Sequence, residues 1–185
     1  MIRTLIATLA LAAALPAAQA VEYNAAQAAQ SRIDFNYQQM GVNMDGRFRK
    51  FAAQLAFDPA KPAGAKAVFD VDLASVDTGT PEADQEVAGK PWFDTKSFPT
   101  AHFESTGVKP LGGNRYEVSG RLTIKGRTQP VVVPATFTAQ GNTGVFEGSF
   151  PIRRGDFAIG EGSWAKFDIV ANEVRIKFHI AATGK

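Results

Sequence analysis

Positions 116–124 alternate strictly, with Tyr116, Val118, Gly120, Leu122 and Ile124 on one side and Glu117, Ser119, Arg121 and Thr123 on the other. Successive side chains of an extended chain point to opposite sides, so a period of two is a strand with one buried face. Lys125-Gly126 then supplies a two-residue turn. Both central residues of such a turn need positive φ, which glycine adopts freely and lysine with some strain. The loop length fixes the register: Ile124 opposite Arg127, Gly120 opposite Val131, Val118 opposite Val133 and Tyr116 opposite Ala135. The apolar faces of the two strands coincide. Pro130 and Pro134 fall in the second strand, where each lacks a donor, and they predict a bulge or bend there.

Six further stretches alternate in the same way, at 31–38, 47–57, 67–75, 101–105, 146–152 and 174–180. Within 47–57 the apolar parity shifts between Phe48 and Phe51, which predicts a bulge. Positions 40–45 before it read as a turn closed at Gly46. The alternation stops over 76–99, where Thr80 as cap and Pro81 in the first turn predict a short helix ending by Gly89. This loop and a second one at 153–171 carry Trp92, Phe93, Phe98, Trp164 and Phe167, large apolar residues that need burial. Eight half-buried antiparallel strands close as a barrel or stack as a sandwich, and alternation alone does not choose. The loop aromatics favour the barrel, because they can cap the ends of a single lumen. The expected fold class is all-β, an eight-stranded antiparallel barrel with a short helix in a long loop.

Positions 1–20 combine one positive charge at Arg3, an apolar run over 5–15, and Ala18-Gln19-Ala20 ahead of Val21. That is the pattern of a secretory signal cleaved after Ala20, and the run is far shorter than the ~20 residues that span a bilayer. Positions 21–185 contain no linker or repeat and read as one domain. There is no cysteine, hence no disulfide framework and no lipid-modified N-terminal cysteine. The 20 Lys and Arg, less Arg3, nearly balance the 18 Asp and Glu, which gives no general attraction to nucleic acid.

Catalytic signals are weak. Gly160-Glu161-Gly162 is followed by no helix pattern and is not a dinucleotide fingerprint. His102 and His179 fall on outward faces, as solvated histidines rather than metal ligands or a base. Asp70 and Asp72 read as a solvated face. Arg154 with Asp156 is a candidate contact for an anionic head group at a barrel mouth, with a surface salt bridge as the competing reading. No nucleophile–base pair can be assembled, so the chain reads as a non-enzyme without cofactor or metal.

The run from Gly120 to Val131, Gly-Arg-Leu-Thr-Ile-Lys-Gly-Arg-Thr-Gln-Pro-Val, resembles the signature hairpin of the YceI-like family of bacterial periplasmic proteins. Gly46-Arg47-Phe48, Phe57-Asp58-Pro59, Ser75-Val76-Asp77-Thr78, Trp92-Phe93-Asp94, Phe98-Pro99-Thr100-Ala101-His102-Phe103 and Arg154-Gly155-Asp156-Phe157 occur in that family's order. Lys125 stands where Asn is common, and Gln129 at a commonly basic position. The resemblance implies a lipocalin-like barrel in the periplasm whose lumen binds a polyisoprenoid, an isoprenoid quinone or a similar long amphiphile for transport or storage, with transient membrane contact. The candidate lumen contacts are Phe35 and Tyr37; Phe48, Phe51 and Leu55; Phe69, Val71 and Leu73; Phe103; Val118, Gly120 and Leu122 facing Val131 and Val133; Phe146 and Phe150; Ile176 and Phe178; and Trp92, Phe93, Phe98 and Trp164 from the loops. These are apolar, which suits a hydrocarbon chain rather than a sugar or nucleotide. The alternative is a ligand-free stress or interaction domain that binds a protein partner through Trp92, Trp164 and their loops.

Overall fold

The computed structural model describes residues 21–184, so the export segment 1–20 lies outside the described residues. The strands are β1 (Tyr23–Ala26), β2 (Arg32–Gln39), β3 (Val42–Phe48), β4 (Phe51–Ala56), β5 (Lys66–Asp72), β6 (Val76–Asp77), β7 (Thr100–Gly112), β8 (Arg115–Ile124), β9 (Arg127–Gln140), β10 (Thr143–Arg153) and β11 (Glu173–Gly184). They form one antiparallel sheet in the order β4-β5-β7-β8-β9-β10-β11-β2-β3-β6, with β1 beside β11. The sheet curls until its ends meet. Chain leaving β5 turns through Leu73–Ser75 and enters β6, which pairs with β3 at Arg47↔Asp77 and Phe48↔Val76. Arg49 N to Ser75 O (3.0 Å) and Asp72 N to Lys50 O (3.1 Å) extend that seam.

The β8–β9 hairpin has the register the two-residue loop dictates, Ile124↔Arg127 through Tyr116↔Ala135, with Lys125 at φ 50° and Gly126 at φ 71°. The prolines do not bend it. Hydrogen-bonded and non-hydrogen-bonded pairs alternate from Ile124↔Arg127, which places Pro130 and Pro134 in non-hydrogen-bonded pairs with their nitrogens turned away from β8. On that other side the pairing of β9 with β10 reaches only as far as Ala135, so neither proline interrupts a ladder. Register shifts lie instead in β7, between Ser105 and Gly107 and between Pro110 and Gly112, and in β1, between Tyr23 and Ala25.

Three features of the sheet depart from the sequence pattern. β3 occupies most of the stretch read as a turn; the real turn is Met40-Gly41, both at positive φ (50° and 78°), with Gln39 paired to Val42. Methionine is a poor turn marker, which hid the hairpin. The parity shift between Phe48 and Phe51 is not a bulge within one strand. It is the point where the chain leaves β2's neighbour and becomes β5's. β1 escapes the pattern because four residues are too few to establish a period.

The helix α1 (Pro81–Ala88) is bounded as its caps require. Thr80 Oγ1 accepts from Ala83 N at 3.3 Å, and the Asp84 carboxylate accepts from Thr78 N (2.6 Å) and Thr78 Oγ1 (2.7 Å), tying the first turn to β6. The two ends of the barrel are stoppered differently. At one end Tyr23, Phe57, Tyr116, Phe137 and Phe146 stack with ring centroids 4.8–5.3 Å apart, an aromatic plug that β1 completes. At the other, here the upper end, α1 and the loops following it and β10 cover the opening.

Candidate ligand-binding cavity

The inward faces enclose two adjoining apolar cavities, an upper lobe of about 220 Å³ and a lower lobe of about 160 Å³. Ile33, Val71, Leu122, Phe150 and Ile176, from five strands, wall both and form a collar between them. Together the lobes fall in the range of roughly 300–1,000 Å³ usual for ligand pockets. The upper lobe is further lined by Phe35, Tyr37, Phe48 and Leu73 from the barrel wall and by Trp92, Phe93, Trp164 and Val87 from its cover. The lower lobe is lined by Leu55, Phe69, Phe103, Val118, Val133, Phe146 and Phe178.

Five candidates line neither lobe. Phe51 is half-buried opposite Val71 on β4. Phe98 lies against the β8–β9 turn, where a Cβ on Gly126 would be 2.9 Å from its ring. Val131 packs on the core surrounding the upper lobe. Asp156 is exposed. Gly120 faces inward but leaves no open space, since a Cβ there would meet the Phe103 ring at 2.4 Å. Gly46 lies under Phe35 and Gly148 under Phe178, these two rings directly across the ladder from their glycines, whereas Phe103 is diagonal to Gly120, which pairs with Ser105. Glycine thus lets an aromatic ring lie close against the wall, and the lumen is kept by the ring's posture rather than by the missing side chain.

Arg154 lines the upper lobe and is not a surface ion pair. It is 1 % exposed, has no carboxylate partner among the described residues, and donates to six carbonyl oxygens: Ala171 from Nε, Ile159 and Gly160 from Nη1, and Trp164, Lys166 and Val170 from Nη2. The Trp92 and Phe167 rings lie 5.4 and 4.9 Å from its guanidinium carbon. Burial lowers its pKa from the usual arginine value. Every N–H is engaged, so the residue organises the loop over the upper lobe from inside.

Lys125 fastens the same cover from outside. Its Nζ donates to Lys90 O (2.9 Å), Ala158 O (2.8 Å) and the Glu161 carboxylate (2.8 Å), and the bond to the carboxylate holds the Glu161 pKa below its usual value. A lysine at positive φ is a costly choice for a turn. That cost was the sequence signal that this side chain had somewhere particular to be.

A model of the YceI-like domain matches residues 24–182. The chain belongs to the YceI-like family. A UPF0312 protein of Azotobacter vinelandii is 33% identical over 170 residues, covering 86% of this YceI-like chain and 88% of the relative, and one of Pseudomonas fluorescens is 38% identical over 137 residues, covering 68% and 69%. Burkholderia cenocepacia BcnA superposes with a TM-score of 0.84 at 46% identity, over 85% of this chain and 99% of BcnA. A polyisoprenoid binding domain from Saccharophagus degradans has the same fold, with a TM-score of 0.69 at 16% identity over 90% of this chain and 99% of that one. The lipocalin-like YceI fold anticipated from the hairpin is the fold observed, built from more strands than the pattern revealed.

The histidines of this YceI-like protein lie away from both lobes. His102 Nδ1 is 2.7 Å from Asp70 Oδ1 and His179 Nδ1 is 2.8 Å from Glu147 Oε1, pairs on the outer face of the sheet. Among the described residues no group of three or more His, Asp or Glu is placed to hold a metal ion. Replacing both histidines with Gln is expected to change unfolding free energy by less than about 1 kcal/mol and to leave lipid binding unchanged. Denaturant titration and a binding isotherm check this; a large loss of binding would draw the site to the outer face.

Proposed function

We propose that this YceI-like protein carries or stores a polyisoprenoid, or an isoprenoid-quinone-like lipid, in its two-lobed cavity, and that it does so in the periplasm after export. The observation that carries the reading is the lining. Two adjoining lobes are walled mostly by apolar side chains from most of the barrel's strands, with polar side chains at Gln39, Thr78, Glu86, Arg154 and the hydroxyl-bearing Tyr37 in the upper lobe and at Lys66 and Tyr116 in the lower. Such a site rewards a long hydrocarbon tail with one polar end. The likeness in fold to a polyisoprenoid binding domain supports it. Met40 (71% exposed), Val42 (61%) and Ile169 (42%) stand on the rim beside Gln39 and Val170 of the upper lobe, an apolar margin suited to brief contact with a membrane from which the lipid is taken. The protein-partner alternative finds its aromatics occupied: Trp92 is 7% exposed, and the Trp164 indole N–H donates to Glu86 Oε1 at 2.9 Å.

Protein purified from its host is expected to retain a long-chain lipid, seen as a discrete added mass in native mass spectrometry and recovered by organic extraction. Delipidated protein should take up a prenyl quinone. Trace lipid in repeated preparations together with no uptake would overturn the carrier reading, and so would recovery of a sugar or nucleotide.

A further inference from the structure

The barrel wall is not laced along its whole height. β9 and β10 pair from Gln140↔Thr143 to Ala135↔Gly148, the last pair between them among the described residues. Both strands run on past that point, β9 paired with β8 as far as Arg127 and β10 with β11 as far as Arg153. In β9 the backbone groups of 127, 129, 131 and 133 are turned to β8, so those of 128, 130, 132 and 134 face β10. Carried past Ala135↔Gly148, the register would make Pro134–Ser149, Val132–Pro151 and Pro130–Arg153 the hydrogen-bonded pairs. Every one of them contains a proline. None can exchange both bonds, and each ring stands where the partner strand would have to come in.

The seam so left, between 130–134 and 149–153, runs beside the cavity. Val133 lines the lower lobe, Ile152 the upper and Phe150 both. Its outer lips are uncharged beside the cavity: Pro130, Val132 (56% exposed) and Pro134 stand exposed on β9, and Pro151 on β10. At the top Gln129 Nε2 donates to Asp156 O (3.2 Å), tying β9 to the turn that follows β10. The ends of the barrel are held more firmly. Arg154 binds six carbonyls of the upper cover and Lys125 fastens it at three points, while the lower end is filled by packed rings. A ligand passing through either end must undo these contacts. Passage through the seam parts apolar side chains and breaks no reciprocal rung.

We propose, on the footing that the cavity holds a prenyl lipid, that the tail enters and leaves sideways between β9 and β10, and that Pro130, Pro134 and Pro151 keep this port from zipping shut. A chain laid in from the side meets both lobes along its length and need not be pushed endwise past the collar, of which Phe150 stands at the port's edge. The same prolines deny the free strand edges to a foreign strand, so the port can stay unlaced without inviting aggregation.

The test uses delipidated protein, which has no cysteine of its own. Val132→Cys with Pro151→Cys places one thiol on each lip. Val132→Cys with Ser119→Cys places a matched pair across the continuous β8–β9 ladder, where Ser119 pairs with Val132. Uptake of a prenyl benzoquinone from phosphatidylcholine vesicles, and its return to them, are timed before and after a short bifunctional maleimide joins the thiols, with the link verified by mass. Each variant is thus its own control for folding. Joining the lips is expected to slow uptake and return alike by about tenfold, with the equilibrium affinity kept within about twofold, as closing a gate does. Joining β8 to β9 should change neither rate. Pro130→Val/Pro134→Val/Pro151→Val, which gives each rung its second donor, should slow both rates without any linker. Rates unmoved by joining the lips and by the triple variant, or slowed as much by the β8–β9 link, would overturn the port. No quinone bound by the unlinked and unaltered proteins would remove the carrier reading itself.

Discussion

Arg154→Met is expected to lower the unfolding free energy by about 3–5 kcal/mol, a larger effect than any substitution on the outer face of the sheet should have. Methionine fills much of the same volume but donates nothing. Six carbonyls between Ile159 and Ala171 then lose their donor together, and an unsatisfied buried acceptor costs roughly 1–3 kcal/mol. The sum is limited because the loop can peel back and let water reach them. Opening also exposes Phe157 and Ile159, now 2% and 6% exposed, so relief of the carbonyls comes with loss of burial. For a domain of this size the melting temperature should fall on the order of 10 °C. Lysine should rescue little, having three donors on a flexible stem in place of a planar fork. Equilibrium unfolding in urea gives the magnitude, and amide exchange over 153–171 locates it. A loss below about 1 kcal/mol, with exchange in that segment unchanged, would show that the loop is held by its own packing and not by the guanidinium.

Gly120→Leu is expected to destabilise the protein by roughly 1–3 kcal/mol and to weaken lipid uptake as well. Judged from the strand pattern, a glycine in mid-strand looks like spare volume that leucine would fill with profit to the sheet. The Phe103 ring already occupies that volume: Cε2 and Cζ lie 2.4 and 2.5 Å from where Cβ would stand, and the Glu104 carbonyl oxygen is at 2.8 Å. The ring can be displaced only into the lower lobe, which it lines, and the backbone oxygen has little freedom to yield. Gly120→Ala should show the same sign at smaller size. Melting of the delipidated pair together with prenyl-lipid binding by both decides it. A leucine variant as stable as the parent would mean that Phe103 rests there loosely, and would make Gly120 a lumen position after all.

What could be read from the sequence was whatever short-range geometry dictates. The β8–β9 register followed from a two-residue loop because that loop leaves no freedom, and α1 followed from Thr80 and Pro81 because a helix start is a local event. Phe48 and Phe51 look like one strand with a fault because nothing near them in sequence says that β3 and β4 belong to opposite ends of the sheet. The inward faces were legible by parity, yet parity does not tell a residue that lines open volume from one beneath another ring, as Gly120 shows. Arg154 was out of reach. Its partners are main-chain carbonyls, which every residue carries, and only the folded loop brings six of them to one point. The alternation likewise hid that Trp92 Nε1 is buried without a hydrogen-bond partner among the described residues, since an indole reads as apolar bulk.

The collar of Ile33, Val71, Leu122, Phe150 and Ile176 makes the interior a gauge. On the lipid reading proposed above, a tail whose polar end lies in the upper lobe and that stops short of the collar would touch one chamber only. A longer tail would pass between these five side chains into the lower lobe, and each further methylene sheltered there would add about 0.8 kcal/mol. Affinity plotted against carbon number would then climb by a step and not along a straight line, and the aromatic plug of Tyr23, Phe57 and Phe137 sets where the counting stops.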